Sequence, residues 1–475
     1  MTGSSQSAGH FVEISETRRR AMDENPISRE EWVDTLYKRI DALLERDQVL
    51  KAQIILQALL PIDQAEIFSD LDENEQRQLL QGLPVESIAD ILEKLEDEEV
   101  AEVAAWLPPE QLADILDEME PDEAADLLGD LQPDAASEIL ELMEDREEIR
   151  PLLLHPDETA GGLMTSEYMA LGRQMWAQTA LEAIREWKPE REYLYYFVVD
   201  RNGVLVGVVS LLRLIKADPK TEVQTFMDRD LITASVHADQ EECAKLMSRY
   251  DLTTLPVVDD DNKLIGVITI DDVVDVLEEE ATEDIQRLGG SAPLEKPYLL
   301  TSTWEIARSR IVWLLVLFVT SMLTSNVLEL FEDTLDKVVA LAFFIPMLIG
   351  TGGNAGSQTT ATVIRALGVG EVEKKDSLRV LWHEIRSGLL LGLLVGLAGF
   401  VRVYVFEGDL LLGMTVAVTL TMIVLWSNSV GSLLPIFASF IGVDPALISG
   451  PLMSTLVDAT GLFIYLTVAQ WILRI

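Results

Sequence analysis

The sequence predicts a multidomain chain: an all-α N-terminal superhelix of short helices, a tandem pair of small α/β domains, a connecting helix and a five-helix transmembrane domain. Three observations carry that reading. From residue 53 onward an apolar block recurs every 12 residues. Residues 163–285 hold a longer repeat whose two copies share one order of helix, β-branched run, turn, strand and helix. Beyond about residue 300 a strongly acidic composition gives way to long apolar runs. The boundaries drawn from these shifts are a disordered polar lead at 1–30, the acidic superhelix at 31–160, the α/β pair at 161–285, the remainder of the connecting, plug-like helix region at 286–310, and the transmembrane domain at 311–475.

The 12-residue blocks read "QIILQAL", "AEIFSDL", "RQLLQGL", "ADILEKL", "AEVAAWL", "ADILDEM", "ADLLGDL" and "SEILELM". Pro61, Pro84, Pro108, Pro109, Pro121 and Pro133 follow block ends, where proline stops one helix or opens the next. Helices of two turns are unstable alone, so neighbouring blocks must bury one another's Ile/Leu faces.

The longer repeat sets "YFVVDRNGVLVGVVSLLRLI" against "LPVVDDDNKLIGVITIDDVVDVL". These residues resemble tandem CBS domains. The resemblance implies a ligand-sensing pair, and in nucleotide-binding members a Ser or Thr followed three residues later by Asp holds the ribose. The second copy has Thr269 and Asp272, whereas the first has Ser210 and Arg213, so ATP at the pair is left open.

Charge is divided unevenly. The chain carries a net charge of −45, and its first 300 residues hold 68 acids against 26 bases, compared with 13 and 10 in residues 301–475. Such an acidic half repels nucleic acid and attracts cations, divalent ones most strongly. A saline-adapted cytosol would favour the same surfaces. Cys243 is the one cysteine, so no intrachain disulfide forms, and the four histidines are far apart in sequence. The polar N-terminus has no apolar core of a signal peptide, so secretion of the N-terminal half is not expected.

Apolar runs fall at about 311–328, 338–366, 388–406, 411–441 and 446–473, giving five spans across a bilayer. Arg308 and Arg310 precede the first, and Arg365, Lys374, Lys375, Arg379 and Arg386 cluster between the second and third. The first and third connections hold only Lys337. The positive-inside rule then puts the acidic domains in the cytoplasm and Ile475 outside.

The second run contains "PMLIGTGGNAGSQTTATVIRAL", where four glycines permit close helix approach or an opened backbone. Asn354, Ser357, Gln358, Thr359 and Thr360 need protein or water, and their density points to a pore lining. The last run places Asp458 twelve residues beyond Ala446, near mid-membrane, where a carboxylate usually marks an ion path. Mg²⁺ is a hard cation held by one or two carboxylates and several waters. A twofold axis along a pore would bring two copies of Asp458 to it.

The order of domains, with "PMLIGTGGNAGSQ" and "VDPALISGPLMSTLVDATG", resembles the MgtE family of bacterial magnesium channels. The resemblance implies a homodimer in the bacterial cytoplasmic membrane, no enzymatic activity, a pore between protomers, and pore metal contacts at Asp458, Asn354 and Asp444. It implies that cytosolic Mg²⁺ bridges acidic faces at Asp90, Asp122 and Asp126 of the superhelix, Glu241, Asp251, Asp272 and Asp275 of the second CBS copy, and Glu280, Glu283 and Asp284 of the connecting helix. At Gly450 the chain departs from the Asn frequent in the family. Alternatives are a carrier for Mn²⁺ or Co²⁺, a CBS-regulated membrane enzyme, for which no P-loop or catalytic metal cluster is visible, and a membrane-anchored magnesium sensor.

Overall fold

The computed structural model describes residues 28–475 apart from 190, 192, 295–297, 299–300 and 449. The polar lead expected at 1–30 lies, up to residue 27, outside the described residues. The chain divides into two compact units, one ending at Val276 and one beginning at Leu277.

In the first unit Ser28 and Glu31 form a capping box that opens helix Arg29–Leu44. Eight further helices among the described residues then start 12 residues apart: Val49–Leu56, Pro61–Ser69, Glu73–Leu80, Val85–Leu92, Asp97–Ala104, Pro109–Leu116, Pro121–Asp130 and Pro133–Leu142. Prolines 61, 109, 121 and 133 occupy the first helical position, where a missing N–H costs nothing and the fixed φ suits the helix. Helices two repeats apart meet: Val85–Leu92 lies between Pro61–Ser69 and Pro109–Leu116, which in turn packs on Pro133–Leu142. The contacts bury Ile88, Ile91, Leu92, Ile115, Leu116 and Leu128 almost completely.

Each CBS copy forms a three-stranded sheet of the same topology. Strands β1 (Ala170–Gly172), β2 (Tyr195–Val199) and β3 (Leu205–Ser210) make the first, and β4 (Ala234–Ser235), β5 (Thr254–Val258) and β6 (Leu264–Thr269) the second. The first pairing in each is parallel and the second antiparallel, with a register shift near its end. Ser210 stands opposite Tyr195 as Thr269 stands opposite Thr254, so the two polar residues are structural equivalents. The copies join where Leu205 N donates to Asn262 O at 3.0 Å and Leu264 N to Gly203 O at 3.1 Å. The core of the second copy continues into the superhelix through Met164, Cys243, Met247 and Leu255. Cys243 is fully buried, and burial pushes its thiol pKa up to about 12.

Five helices among the described residues are long and apolar enough to cross a membrane. They are Thr303–Leu330, Ile345–Gly368, Ser377–Glu407, Leu410–Phe440 and Gly450–Leu473. The structure refines three of the boundaries. The connecting helix, Ile270–Leu288, ends in a turn at Gly290 (φ +76°), so 286–310 contains only its last residues and, from Thr303, the start of the first span. The second apolar run is broken, because Val339–Phe344 is a tight 3₁₀ segment before Pro346 opens the long helix. The third span begins at Ser377, 11 residues before its apolar run.

Close approach holds the third and fourth spans together. Gly388, Gly392, Gly396 and Gly399 are buried along one side of the third. A Cβ at Gly396 would lie 2.6 Å from Ala417 O, and one at Gly392 would lie 2.9 Å from Thr421 O. Thr421 Oγ1 donates to Gly392 O at 3.0 Å, so the contact carries a hydrogen bond as well as packing. Replacing Gly396 by Val should cost about 1–3 kcal/mol or more through overpacking against backbone. Gly368→Ala, with open space around it, should be neutral. Thermal unfolding of the two variants in detergent checks this, with the Gly396 variant melting several degrees lower.

Candidate cation-binding sites

The glycine-rich helix Ile345–Gly368 has two faces. Gly352, Gly353 and Gly356 are buried. A Cβ on Gly352 would stand 2.9 Å from Val457 Cγ1, one on Gly353 3.1 Å from Ser454 Oγ, and one on Gly356 2.9 Å from Met453 Cε. These glycines therefore seat the last helix against the second span. The opposite face presents Gly350, Asn354 and Gln358 at i, i+4 and i+8, all exposed. Ser357, Thr359 and Thr360 belong to the packed side. Ser357 Oγ donates to Gly450 O at 3.1 Å, and Thr360 Oγ1 to Gly431 O at 3.1 Å.

The last helix begins at Gly450, because Asp444 caps a separate 3₁₀ turn at Pro445–Leu447 by accepting from Ala446 N at 2.8 Å. Asp458 is thus eight residues into a helix about 36 Å long at 1.5 Å per residue, closer to its Gly450 end than its apolar flanks suggested. It is half-buried, and among the described residues no hydrogen bond or ion pair reaches its carboxylate. Ser454, one turn earlier on the same face, is the residue that meets Gly353. Asp444 is engaged differently. Arg287, near the end of the connecting helix, pairs with both Asp444 and Glu283. A Cβ at Gly450 would find only ordinary contacts, 3.6 Å to Ser357 Oγ and 3.8 Å to Leu288 O, so there is room for a side chain.

Sequence reasoning missed Glu384. It lies in the first turns of the long third helix, before the apolar run. Its Oε2 accepts from Asn428 Nδ2 at 3.1 Å and from Thr359 Oγ1 at 3.4 Å, tying the second, third and fourth spans with one carboxylate.

In the first unit the acidic residues meet at Arg191. Its Nε donates to Glu120 Oε1 at 2.7 Å, while Nη2 pairs with Glu120 and lies 3.8 Å from Asp122 Oδ2. Nη1 donates to Thr269 Oγ1 at 2.6 Å and to Asp272 at 3.1 Å, and Nε lies 3.6 Å from Asp271. The guanidinium and the Glu120, Asp122 and Asp272 side chains are all largely buried, at 8–16% exposure. Burial, then the neighbouring Asp272, holds Asp122 well above the usual carboxylate range. Neither Glu120 nor Arg191 was singled out in the sequence, and "KPEREYL" carries no periodic signal that would have found the arginine.

A second group surrounds Lys94. Burial raises Glu93 to about 7 and Glu123 to about 8, with Lys94 acting against the shift in both. Asp90 raises Glu93, and Asp126 raises Glu123. Asp90 is itself raised, chiefly by burial. Glu93 also accepts from Glu120 N at 2.7 Å, which links this group to the Arg191 junction. Asp122 and Asp126 therefore point into different surroundings, Asp122 buried and Asp126 exposed.

The other residues assigned to sensing are spread over two helices. Glu241 sits in the first turn of helix Gln240–Tyr250, paired with Lys245 at 2.6 Å, whereas Asp251 caps the other end in the left-handed conformation. About 15 Å of helix separates them. Asp272, Asp275, Glu280, Glu283 and Asp284 lie along the single connecting helix. Among the described residues no three His, Cys, Asp or Glu side chains gather as a ready-made metal cage.

An acidic helical domain, a CBS pair and five apolar helices carrying a polar stripe and an unpaired carboxylate define a multi-pass membrane protein that handles cations. Residues 345–468 match the family described as MgtE, divalent cation transporter. Residues 59–158 match the MgtE intracellular N domain and 222–279 the CBS domain. The magnesium transporter MgtE of Thermus thermophilus is 44% identical over 69% of this chain and 73% of its own length. That of Bacillus subtilis is 32% identical over 92% of this chain and 97% of its own. A solved structure described as the cytosolic domain of the Mg²⁺ channel MgtE in complex with ATP is 35% identical, covering 50% of this chain and 99% of that one with a TM-score of 0.48. The chain belongs to the MgtE family of transporters, and it is not an enzyme.

Raised carboxylate pKa values have a defined sign. Between the ordinary glutamate value of 4.5 and the folded values of about 7 and 8, the folded chain binds protons that the unfolded chain has lost. Stability therefore falls as pH rises through that window. In divalent-free buffer, amide exchange in helices Val85–Leu92 and Pro121–Asp130 should accelerate from pH 5 to pH 8 beyond the intrinsic chemical rate. Glu93→Gln with Glu123→Gln should flatten the dependence.

Proposed function

We propose that the chain is a Mg²⁺-selective channel or facilitated transporter of the bacterial cytoplasmic membrane, working as a homodimer and closed from inside by cytosolic Mg²⁺. One observation carries the transport reading. The Gly350, Asn354 and Gln358 stripe is exposed in a membrane helix, and Asp458, on the helix packed beside it, has no hydrogen-bond or ion-pair partner among the described residues. Lipid cannot satisfy either group, so both need water and a second wall. A twofold-related copy supplies that wall and a second Asp458. Two carboxylates then hold an ion that keeps most of its hydration shell, which suits Mg²⁺.

The orientation follows from the basic residues near the first span and between the second and third, which put the acidic unit inside. The sensing set is Asp90, Asp122, Asp126, Glu241, Asp251, Asp272, Asp275, Glu280, Glu283 and Asp284, with Asn354 and Asp444 as further pore residues. At low Mg²⁺ the acidic faces repel. At high Mg²⁺ several weak sites fill in the compact state and draw the equilibrium towards it, a swing that needs about 5.5 kcal/mol in all. The connecting helix acts at the pore mouth, where Arg287 joins Glu283 to Asp444. ATP at the second CBS copy would have to displace Arg191 from Thr269 and Asp272.

The test is Mg²⁺ uptake into liposomes at low internal Mg²⁺. The native protein should fill the vesicles rapidly, and Asp458→Ala should lose at least about tenfold in rate, as expected for removing an ion-path carboxylate. Competition by Mn²⁺ and Co²⁺ measures selectivity. Absence of uptake by the native protein, even without internal Mg²⁺, would abandon the transport mechanism in favour of a sensor.

A further inference from the structure

The Arg191 junction joins three parts of the first unit. Glu120 and Asp122 come from the start of helix Pro121–Asp130, Asp271 and Asp272 from the first turn of the connecting helix, and Arg191 from the loop between helix Ala177–Glu186 and β2. Four carboxylates from two domains surround one guanidinium. Glu120, Asp122 and Asp272 are largely buried and Asp271 is more exposed, so left alone the four crowd negative charge that a positive group among them relieves. A guanidinium is charged at every physiological pH, and its planar fork serves several oxygens at once.

We propose that Arg191 is a resident cation: a covalently tethered charge that does in part at this junction what a bound divalent ion would otherwise do, and so weakens the repulsion between the superhelix and the CBS pair when Mg²⁺ is scarce. One positive charge leaves the four carboxylates under-neutralised, so the junction still welcomes divalent ions, but it does not wait for them. Arg191 therefore lowers the Mg²⁺ concentration at which this unit compacts. The same device recurs in the second unit, where Arg287 stands between Glu283 and Asp444. The Mg²⁺-linked half of the inference rests on the proposed gating, whereas the metal-free half does not.

Hydrogen exchange of the full-length protein in detergent tests both halves. In EDTA, Arg191→Ala should speed exchange in helix Pro121–Asp130 by about tenfold, the loss expected when buried carboxylates lose their counter-charge. Removing the exposed Lys188 as Lys188→Ala, an equal change in net charge, should leave exchange at native values. Added Mg²⁺ should restore the Arg191 variant, with a midpoint several times higher than the native one. Neutralising a repelling partner in the double variant Glu120→Gln, Arg191→Ala should recover at least half the lost protection in EDTA, which separates lost charge from misfolding. Native-like exchange of Arg191→Ala in EDTA, or no recovery in the double variant, overturns the resident-cation role. A native protein whose exchange ignores Mg²⁺ would sink the gating proposal, while the EDTA comparison would still decide on Arg191.

Discussion

Carboxylate repulsion is the constraint on which the first unit depends. Glu120, Asp122, Asp271 and Asp272 are brought within reach of one guanidinium, and Glu93, Glu123 and Asp90 share Lys94 nearby. Hydrophobic contacts between helices two repeats apart supply the cohesion that makes such crowding possible. The result is a fold whose scaffold is apolar and stable while its domain junctions are electrostatically marginal.

The second unit solves a different problem with a related economy of groups. Its helices satisfy their own backbones, and close approach at Gly352, Gly356, Gly392 and Gly396 lets neighbouring helices exchange hydrogen bonds that lipid could not offer. Several polar side chains on the packed face are matched, Thr360 to Gly431, Ser357 to Gly450, and Asn428 Nδ2 and Thr359 to Glu384, whereas Thr419 Oγ1, Ser427 Oγ and Asn428 Oδ1 are buried with no partner among the described residues. Asn354 and Gln358, by contrast, are exposed on the other face, and among the described residues no hydrogen bond or ion pair reaches the half-buried Asp458.

Much of the architecture was legible in the chain because it is written in local periods. The 12-residue spacing of apolar blocks and prolines became helices starting 12 residues apart, and the doubled α/β pattern became two sheets of identical topology. The glycine-rich stretch was legible only in part, since one helical turn divides it: Gly352, Gly353 and Gly356 turn inward to pack, Asn354 and Gln358 turn outward. Apolar runs also hid two breaks, before Pro346 and before Gly450, because a 3₁₀ turn leaves no mark on hydropathy. Arg191 and Glu384 were invisible for a different reason. The partners of Arg191 lie 71 and 81 residues away and those of Glu384 lie 25 and 44 away, so only the fold brings them together.

Cys243, enclosed by the core that joins the second CBS copy to the superhelix, has a thiol that burial keeps protonated. The chain is therefore, to any thiol-directed reagent in its folded state, a protein without cysteine. Spin labels, fluorophores or cross-linkers placed at single introduced cysteines would report from one position each, with no need to engineer the background first. Its domain junctions and its polar membrane stripe are accordingly open to distance measurement in the native sequence context.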